Sequence, residues 1–235
     1  MLNKFLKQIS IFEVLAYENL IDNKPIPIKC FLPLLLKALI NIVEFFFRYI
    51  PGPIGIVSRR FLYKVLCKKI GKSVIIDVGV NISHPWNLSV GDNTWIDSYV
   101  QISVPNEEVI IGKRVHIGPF ATIGGAKSVI IEDYVGISSH VSIFTGSATP
   151  VNGKRMSGPM VPMRDQAYYC APVILKKDSV VGNKSVILPG VTLNEGSVVG
   201  ALTSIDRTTN AWGIYKGGSV GILRTRQRKK VNLNN

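Results

Sequence analysis

The sequence predicts an all-β solenoid behind an amphipathic helical segment, and three observations predict it. Aliphatic residues recur every six positions between residues 90 and 205. A small or β-branched residue follows most of them four positions on. One stretch, 144–172, breaks the rhythm and is rich in Gly, Pro, Ser and Met. The chain divides accordingly into an N-terminal helical, basic and apolar segment (1–73), a β-helix domain (74–210, with its loop at 144–172) and a basic C-terminal segment (211–235).

Within the first segment, FLPLLLKALINIVEFFFRYI (31–50) is the most apolar run. It has the length of a membrane span, but Lys37, Glu44 and Arg48 would each cost roughly 3 kcal/mol at the bilayer centre. With Asn41 these residues are spaced four, three and four apart, which on a helix makes one narrow polar stripe. Pro51-Gly52-Pro53 stops that helix. The run reads as a helix packed on the body or on a sister subunit. It also reads as an interfacial helix in peripheral membrane contact through residues 31–69, with Arg59, Arg60, Lys64, Lys68 and Lys69 drawn to anionic lipid. It begins too late for a signal peptide, and no small-residue cleavage site follows.

The repeat runs through Val90, Ile96 and Ile102; Ile111, Ile117 and Ile123; Ile131, Ile137 and Ile143. It resumes at Leu175, Val181, Ile187, Leu193, Val199 and Ile205. Strand side chains alternate, so each aliphatic residue and the small residue two places before it point to the same side. Asp92-Asn93, Lys113-Arg114, Glu132-Asp133 and Asn194-Glu195-Gly196 supply turn chemistry at the corners. Three such faces close a triangular coil of about 18 residues, and stacked coils bury one continuous core. The stretch at 144–172 must leave the coil as a long loop, and loops of that length are usually functional.

The formal charge of +13 is unevenly placed. Residues 1–75 carry 12 basic and 4 acidic side chains, residues 76–210 carry 10 and 11, and residues 211–235 carry 6 and none. A near-neutral body between basic ends argues against a nucleic-acid binder, which spreads its charge over a folded face. Cys30, Cys67 and Cys170 are too few for a disulfide framework, and no Cys/His cluster suggests a metal. Reduced thiols fit a cytoplasmic protein, or one peripheral on the inner face of a membrane.

VGDNTWID (90–97), IGKRVHIGPFATIGG (111–125) and VILKKDSVVGNKSVILPGVTLNEGSVVGALTSI (173–205) resemble the hexapeptide-repeat acyltransferases. WGIYKGGSVGILRTR (212–226) is similar to that family's usual close, and HPWNLSVGDNTWID (84–97) to its colanic-acid and O-antigen branch. The resemblance implies a left-handed parallel β-helix, a homotrimer with sites between subunits, acetyl-CoA as donor, no metal, and a sugar acceptor. Family CoA positions fall on Asn183, Ala201, Arg207 and Arg224. The implied activity is O-acetylation of a surface-polysaccharide sugar such as lipopolysaccharide, O-antigen or capsule.

One position departs from the pattern. The galactoside and colanic-acid enzymes carry their base histidine in text like TG-x-H, where this chain has Thr145-Gly146-Ser147-Ala148. A methyl group cannot take a proton, so three explanations stand: a deliberate His-to-Ala change, a base placed elsewhere, or no catalysis. For a base elsewhere, His116 precedes inward Ile117 and therefore points outward, with Gly136 one coil above it. A sugar-contacting asparagine of the galactoside enzymes corresponds to Gly118. His140 falls at a corner and His84 at the start of the repeat, where solvated or structural roles fit better. Ser147, Arg155, Met156, Arg164 and Tyr168 could shape an acceptor pocket. Cys170 has no neighbouring histidine, which speaks for direct transfer. The rival readings are N-acetylation of a nucleotide-linked amino sugar and a non-catalytic trimeric scaffold at the membrane.

Overall fold

In the computed structural model the six-residue period becomes three parallel sheets. The structure describes residues 2–103, 105–148, 155, 158, 161–217 and 222–225. The first coil is made of Lys69–Ile70, Ile75–Ile76 and Asn81–Ile82, the second of Leu88–Val90, Trp95–Ile96 and Gln101–Ser103. Val109–Ile111, His116–Ile117 and Thr122–Gly124 form the third, and Val129–Ile131, Gly136–Ile137 and Ser142–Phe144 the fourth. Two more coils run from Val173 to Ile205, and Gly213–Tyr215 opens a seventh turn, closed by antiparallel Ile222–Thr225. Each strand pairs in register with those one coil below and above, as Ile117 does with Ile96 and Ile137. Strands begin at Lys69, ahead of the first repeat residue recognised in the sequence.

Every repeat aliphatic from Val90 to Ile205 is buried, as are the small partners Thr94, Val100, Val115, Ala121, Val135, Val141, Ser179, Ser185, Val191, Ser197 and Thr203. Each fully buried aliphatic contributes about 1.5–3 kcal/mol. Of the inward hydroxyls, Thr94 Oγ1 donates to Gly112 O at 2.7 Å and Ser185 Oγ to Gly200 O at 2.8 Å, whereas the Ser179 hydroxyl has no partner among the described residues. The predicted pitch of about 18 residues holds where Ile174 pairs with Thr192. It is longer in the early coils, where Ser89 pairs with Ile110 and Ile110 with Ile130, because the third corner there carries extra residues.

Three helices precede the coils: α1 (Leu2–Ile21), α2 (Phe31–Arg48) and α3 (Gly52–Leu66). α2 ends just before Pro51-Gly52-Pro53, as the sequence predicts, and the same residues start α3, where a proline in the first turn loses no needed N–H. Tyr63 and Cys67 enter the solenoid's core cluster, so α3 closes that end of it. The inner side of α1 sets Leu6 and Ile9 against Trp86, with Leu36 and Ile40 of α2 alongside.

The stripe on α2 faces the protein rather than water. Lys37 pairs with Glu13 of α1, and His84 Nε2 lies 3.2 Å from the same carboxylate. Burial pushes the Glu13 carboxyl up, but its bonds to His84 and Lys37 outweigh that and hold it below the usual range. Glu44 is 2% exposed, and burial lifts its pKa from 4.5 to about 7 despite Arg48, the Tyr63 hydroxyl and Lys37. Only Asn41 of the stripe stays exposed. Arg59, fully buried on α3, donates from Nε to Ile76 O at 2.9 Å and from Nη1 to Ile50 O at 2.7 Å.

The stretch at 144–172 leaves between the fourth and fifth coils, as predicted, but its stem is a short hairpin. Gly146–Ala148 pairs antiparallel with Tyr168–Cys170. Buried Thr145 anchors it, its Oγ1 accepting from Lys127 N at 3.0 Å.

Candidate functional site

His116 stands outward on the second face, where alternation places it. Its side chain is 53% exposed while Ile117 beside it is fully buried. Below it in register is Trp95, with ring centroids 5.4 Å apart, and above it is Gly136. A Cβ on Gly136 would meet the Val180 methyls at 3.9 and 4.0 Å, ordinary contact, so the position above His116 has room for a methyl group that glycine leaves unfilled.

Asp97 completes the arrangement, and sequence reasoning missed it. Its Oδ1 accepts from Ser98 N at 2.7 Å, which holds the carboxylate still. Its Oδ2 lies 3.5 Å from His116 Nε2, longer than a direct hydrogen bond. An aspartate just after a strand looks like turn chemistry. The available signal was the parallel register, which sets the end of TWID (94–97) one coil below His116.

The other predicted positions are scattered. His140 sits at a corner with φ 57°, a conformation histidine tolerates, and its ring stacks on Phe120 at 4.9 Å. Phe120 stacks in turn on Tyr99 at 5.3 Å, so His140 tops an aromatic ladder instead of entering the His116 site. Ala148 lies opposite Tyr168 on the hairpin that leaves the third face, and Gly146 packs beneath the Tyr168 ring. Within one chain, then, Ala148 and His116 belong to different faces. Ser147 pairs with Tyr169, Arg155 N donates to Asp165 O at 3.0 Å, and Arg164 reaches Asp22 after α1 at 3.1 Å. Met156 and the tail residues Arg226, Arg228, Lys229 and Lys230 lie outside the described residues.

Asn183 and Ala201 occupy corners of successive coils, joined where Leu202 N donates to Asn183 O at 2.9 Å. Arg207 is exposed and pairs with Asp206 at 3.1 Å, a bond that raises its pKa further. Arg224 is paired through its backbone with Ile214, its side chain lying outside the described residues. Burial, ahead of the opposing pull of Lys127, pushes the Cys170 thiol up, which makes it a poor nucleophile. Among the described residues, no three His, Cys, Asp or Glu side chains gather as a metal set.

No family model matches the chain. It is 30% identical over 166 residues to a dTDP-4-amino-4,6-dideoxy-D-glucose acyltransferase of Escherichia coli, covering 71% of this chain and 86% of that one. It is 26% identical over 168 residues to WcaF of E. coli K12, described as a colanic acid biosynthesis acetyltransferase, covering 72% and 75%. Among solved structures it is similar to AntD, an N-acyltransferase of Bacillus cereus in complex with dTDP and 3-hydroxybutyryl-CoA. That match has a TM-score of 0.67 and 30% identity, over 72% of this chain and 89% of that one. A repeat in strict parallel register and these likenesses over most of both chains lead to one conclusion: the chain belongs to the hexapeptide-repeat acyltransferases, and it is an enzyme of that class.

Proposed function

We propose that the protein transfers an acetyl group from acetyl-CoA to a hydroxyl of a sugar destined for a surface polysaccharide, with His116 as general base. The observation that carries this reading is the half-exposed His116, with the Asp97 carboxylate 3.5 Å from its Nε2 and side-chain-free Gly136 one coil above it. A sugar hydroxyl is a weak nucleophile, so His116 takes its proton at Nδ1 while Nε2–H is directed to Asp97. The oxygen attacks the thioester carbonyl and a tetrahedral oxyanion forms. The C–S bond then breaks, and the CoA sulfur leaves with the proton returned by the imidazolium. Asp97 steadies that imidazolium through the cycle.

Asn183, Ala201 and Arg207 are the residues we assign to CoA. They sit on the last coils, and an exposed guanidinium suits a CoA phosphate. In a homotrimer the faces carrying His116 and the Ala148 hairpin of neighbouring subunits would share one cleft, in a cytoplasmic enzyme. One observation favours a second reading, N-acylation: AntD is named an N-acyltransferase, and the E. coli relative is named for an amino sugar. A neutral amine already attacks well, so His116 would matter less there.

Thiol release from acetyl-CoA decides between the readings, with dTDP-glucose and dTDP-4-amino-4,6-dideoxyglucose as alternative acceptors. The proposal expects turnover of the hydroxyl acceptor to fall about 10²–10⁴-fold in His116→Ala, with CoA affinity by calorimetry unchanged. Mild alkali would release acetate from the ester product and not from an amide. Turnover of the amine acceptor alone, insensitive to His116→Ala, would replace the first reading with the second.

A further inference from the structure

We propose that the outer face of α2 and α3 seats on the surface of an anionic phospholipid bilayer, in the plane of its headgroups. The observation is an inversion of the usual helix pattern. On α2, Leu32, Leu35, Leu39, Ile42 and Phe46 alternate three and four residues apart, which is one helical face, and all are exposed. Lys37 and Glu44, on the opposite side, are the buried ones. α3 repeats the arrangement, with Ile54 77%, Val57 69% and Phe61 71% exposed while Arg59 is at 0%. Between the two helices Phe47, Pro53, Ile54, Val57, Ser58 and Phe61 line an open, wholly apolar groove of about 570 Å³. Scattered exposed apolar residues need no explanation, but two adjacent helices exposing their apolar sides together do.

Charge selects lipid over a second copy of the chain. From residue 45 to residue 76 there are seven basic side chains and no acidic one. Arg59 is turned inward and Lys68 is held by both oxygens of Glu108, but Lys64 and Lys69 are exposed on and just beyond α3. Two copies meeting through this face would bring like charges together, whereas an anionic leaflet complements them. The helix Ile28–Arg48 is long and apolar enough to cross a membrane, with mean hydropathy 2.0. Crossing would strip Lys37 from Glu13 and expose Glu44 to hydrocarbon, so the same residues that point inward favour lying on the surface.

The test is sedimentation of the full chain with vesicles of equal parts phosphatidylglycerol and phosphatidylcholine, against pure phosphatidylcholine. The parent is expected to bind the anionic vesicles, and to do so less as salt rises. Leu39→Glu combined with Phe61→Glu should weaken that binding more than tenfold, with the far-UV spectrum and sedimentation velocity without vesicles unchanged. Lys64→Gln combined with Lys69→Gln, at exposed positions that do not support the fold, should weaken it roughly fivefold per lysine. This pair keeps the test decisive if the glutamate variant fails to fold. Failure of the parent to bind anionic vesicles, equal binding to both kinds, or binding that survives the substitutions overturns the proposal. A glutamate variant that keeps its far-UV spectrum but sediments as a smaller species without vesicles overturns it as well, because the face would then be a subunit interface. None of these readouts depends on which acceptor the enzyme uses.

Discussion

The solenoid and the helical layer solve the burial problem in opposite ways. In the coils, aliphatic residues fill the interior at every sixth position and polar residues turn to water. In the helices, Lys37, Glu44 and Arg59 face the protein while leucines and phenylalanines face out. The solenoid is held by non-directional burial spread over many equivalent sites. The helical layer depends in addition on a few directional contacts, each of which would be expensive to leave unmade.

Five substitutions would break or sharpen that contrast. Arg59→Ala should be the most damaging, at about 3–5 kcal/mol by urea denaturation, because it leaves the Ile50 and Ile76 carbonyls without their buried donor. A loss below 1 kcal/mol would mean that the staple is dispensable. Ile117→Ala, in the middle of the stacked core, should cost about 2–5 kcal/mol, whereas Leu39→Ala on the outer side of α2 should cost less than about 0.5 kcal/mol. Equal costs would show that the outer face of α2 is covered.

Glu44 carries a pH signature. Its pKa is raised from 4.5 to about 7 in the folded chain, so between those values the folded state holds more protons than the unfolded state. Stability contributed by this group therefore falls as pH rises through that window, then levels off. Glu44→Gln should be more stable than the parent at pH 8 by about 1–3 kcal/mol and similar to it near pH 5. A variant less stable at both pH values would show that the carboxylate is a net stabilising partner of Arg48 and Tyr63. At the solenoid surface the expected effect falls on turnover rather than on stability. Asp97→Asn should lower kcat for a hydroxyl acceptor about tenfold, roughly 1.4 kcal/mol, with little change in denaturation midpoint. An unchanged kcat would separate Asp97 from the work of His116.

Much of this was legible beforehand because the repeat is redundant. Ile96, Ile117 and Ile137 declare the same inward position three times, and a misreading at one is corrected by the others. The outward direction of His116 followed from its neighbour Ile117 by alternation alone. Asp97 was not legible in the same way, since its meaning depends on the residue one coil above it. The stem of the 144–172 stretch was hidden too, because Ser147 and Tyr169 are paired across a long excursion. α1 gave no strong signal, and its role appears only through what it touches: Trp86, Lys37 and His84.

By itself the chain determined which residues share a face: the buried repeat of the coils, the corner turns between them, and the polar stripe at 37, 44 and 48. Periodicity does that, because strand and helix geometry are local properties of the backbone. Only the tertiary structure decided what each face meets. It turned the α2 stripe inward onto Glu13 and Tyr63, brought Asp97 of the coil below to the side of His116, and kept Ala148 on a different face from His116. The physical reason is that a repeat orders side chains about its own axis, while their partners are chosen by packing between segments that lie far apart in the chain.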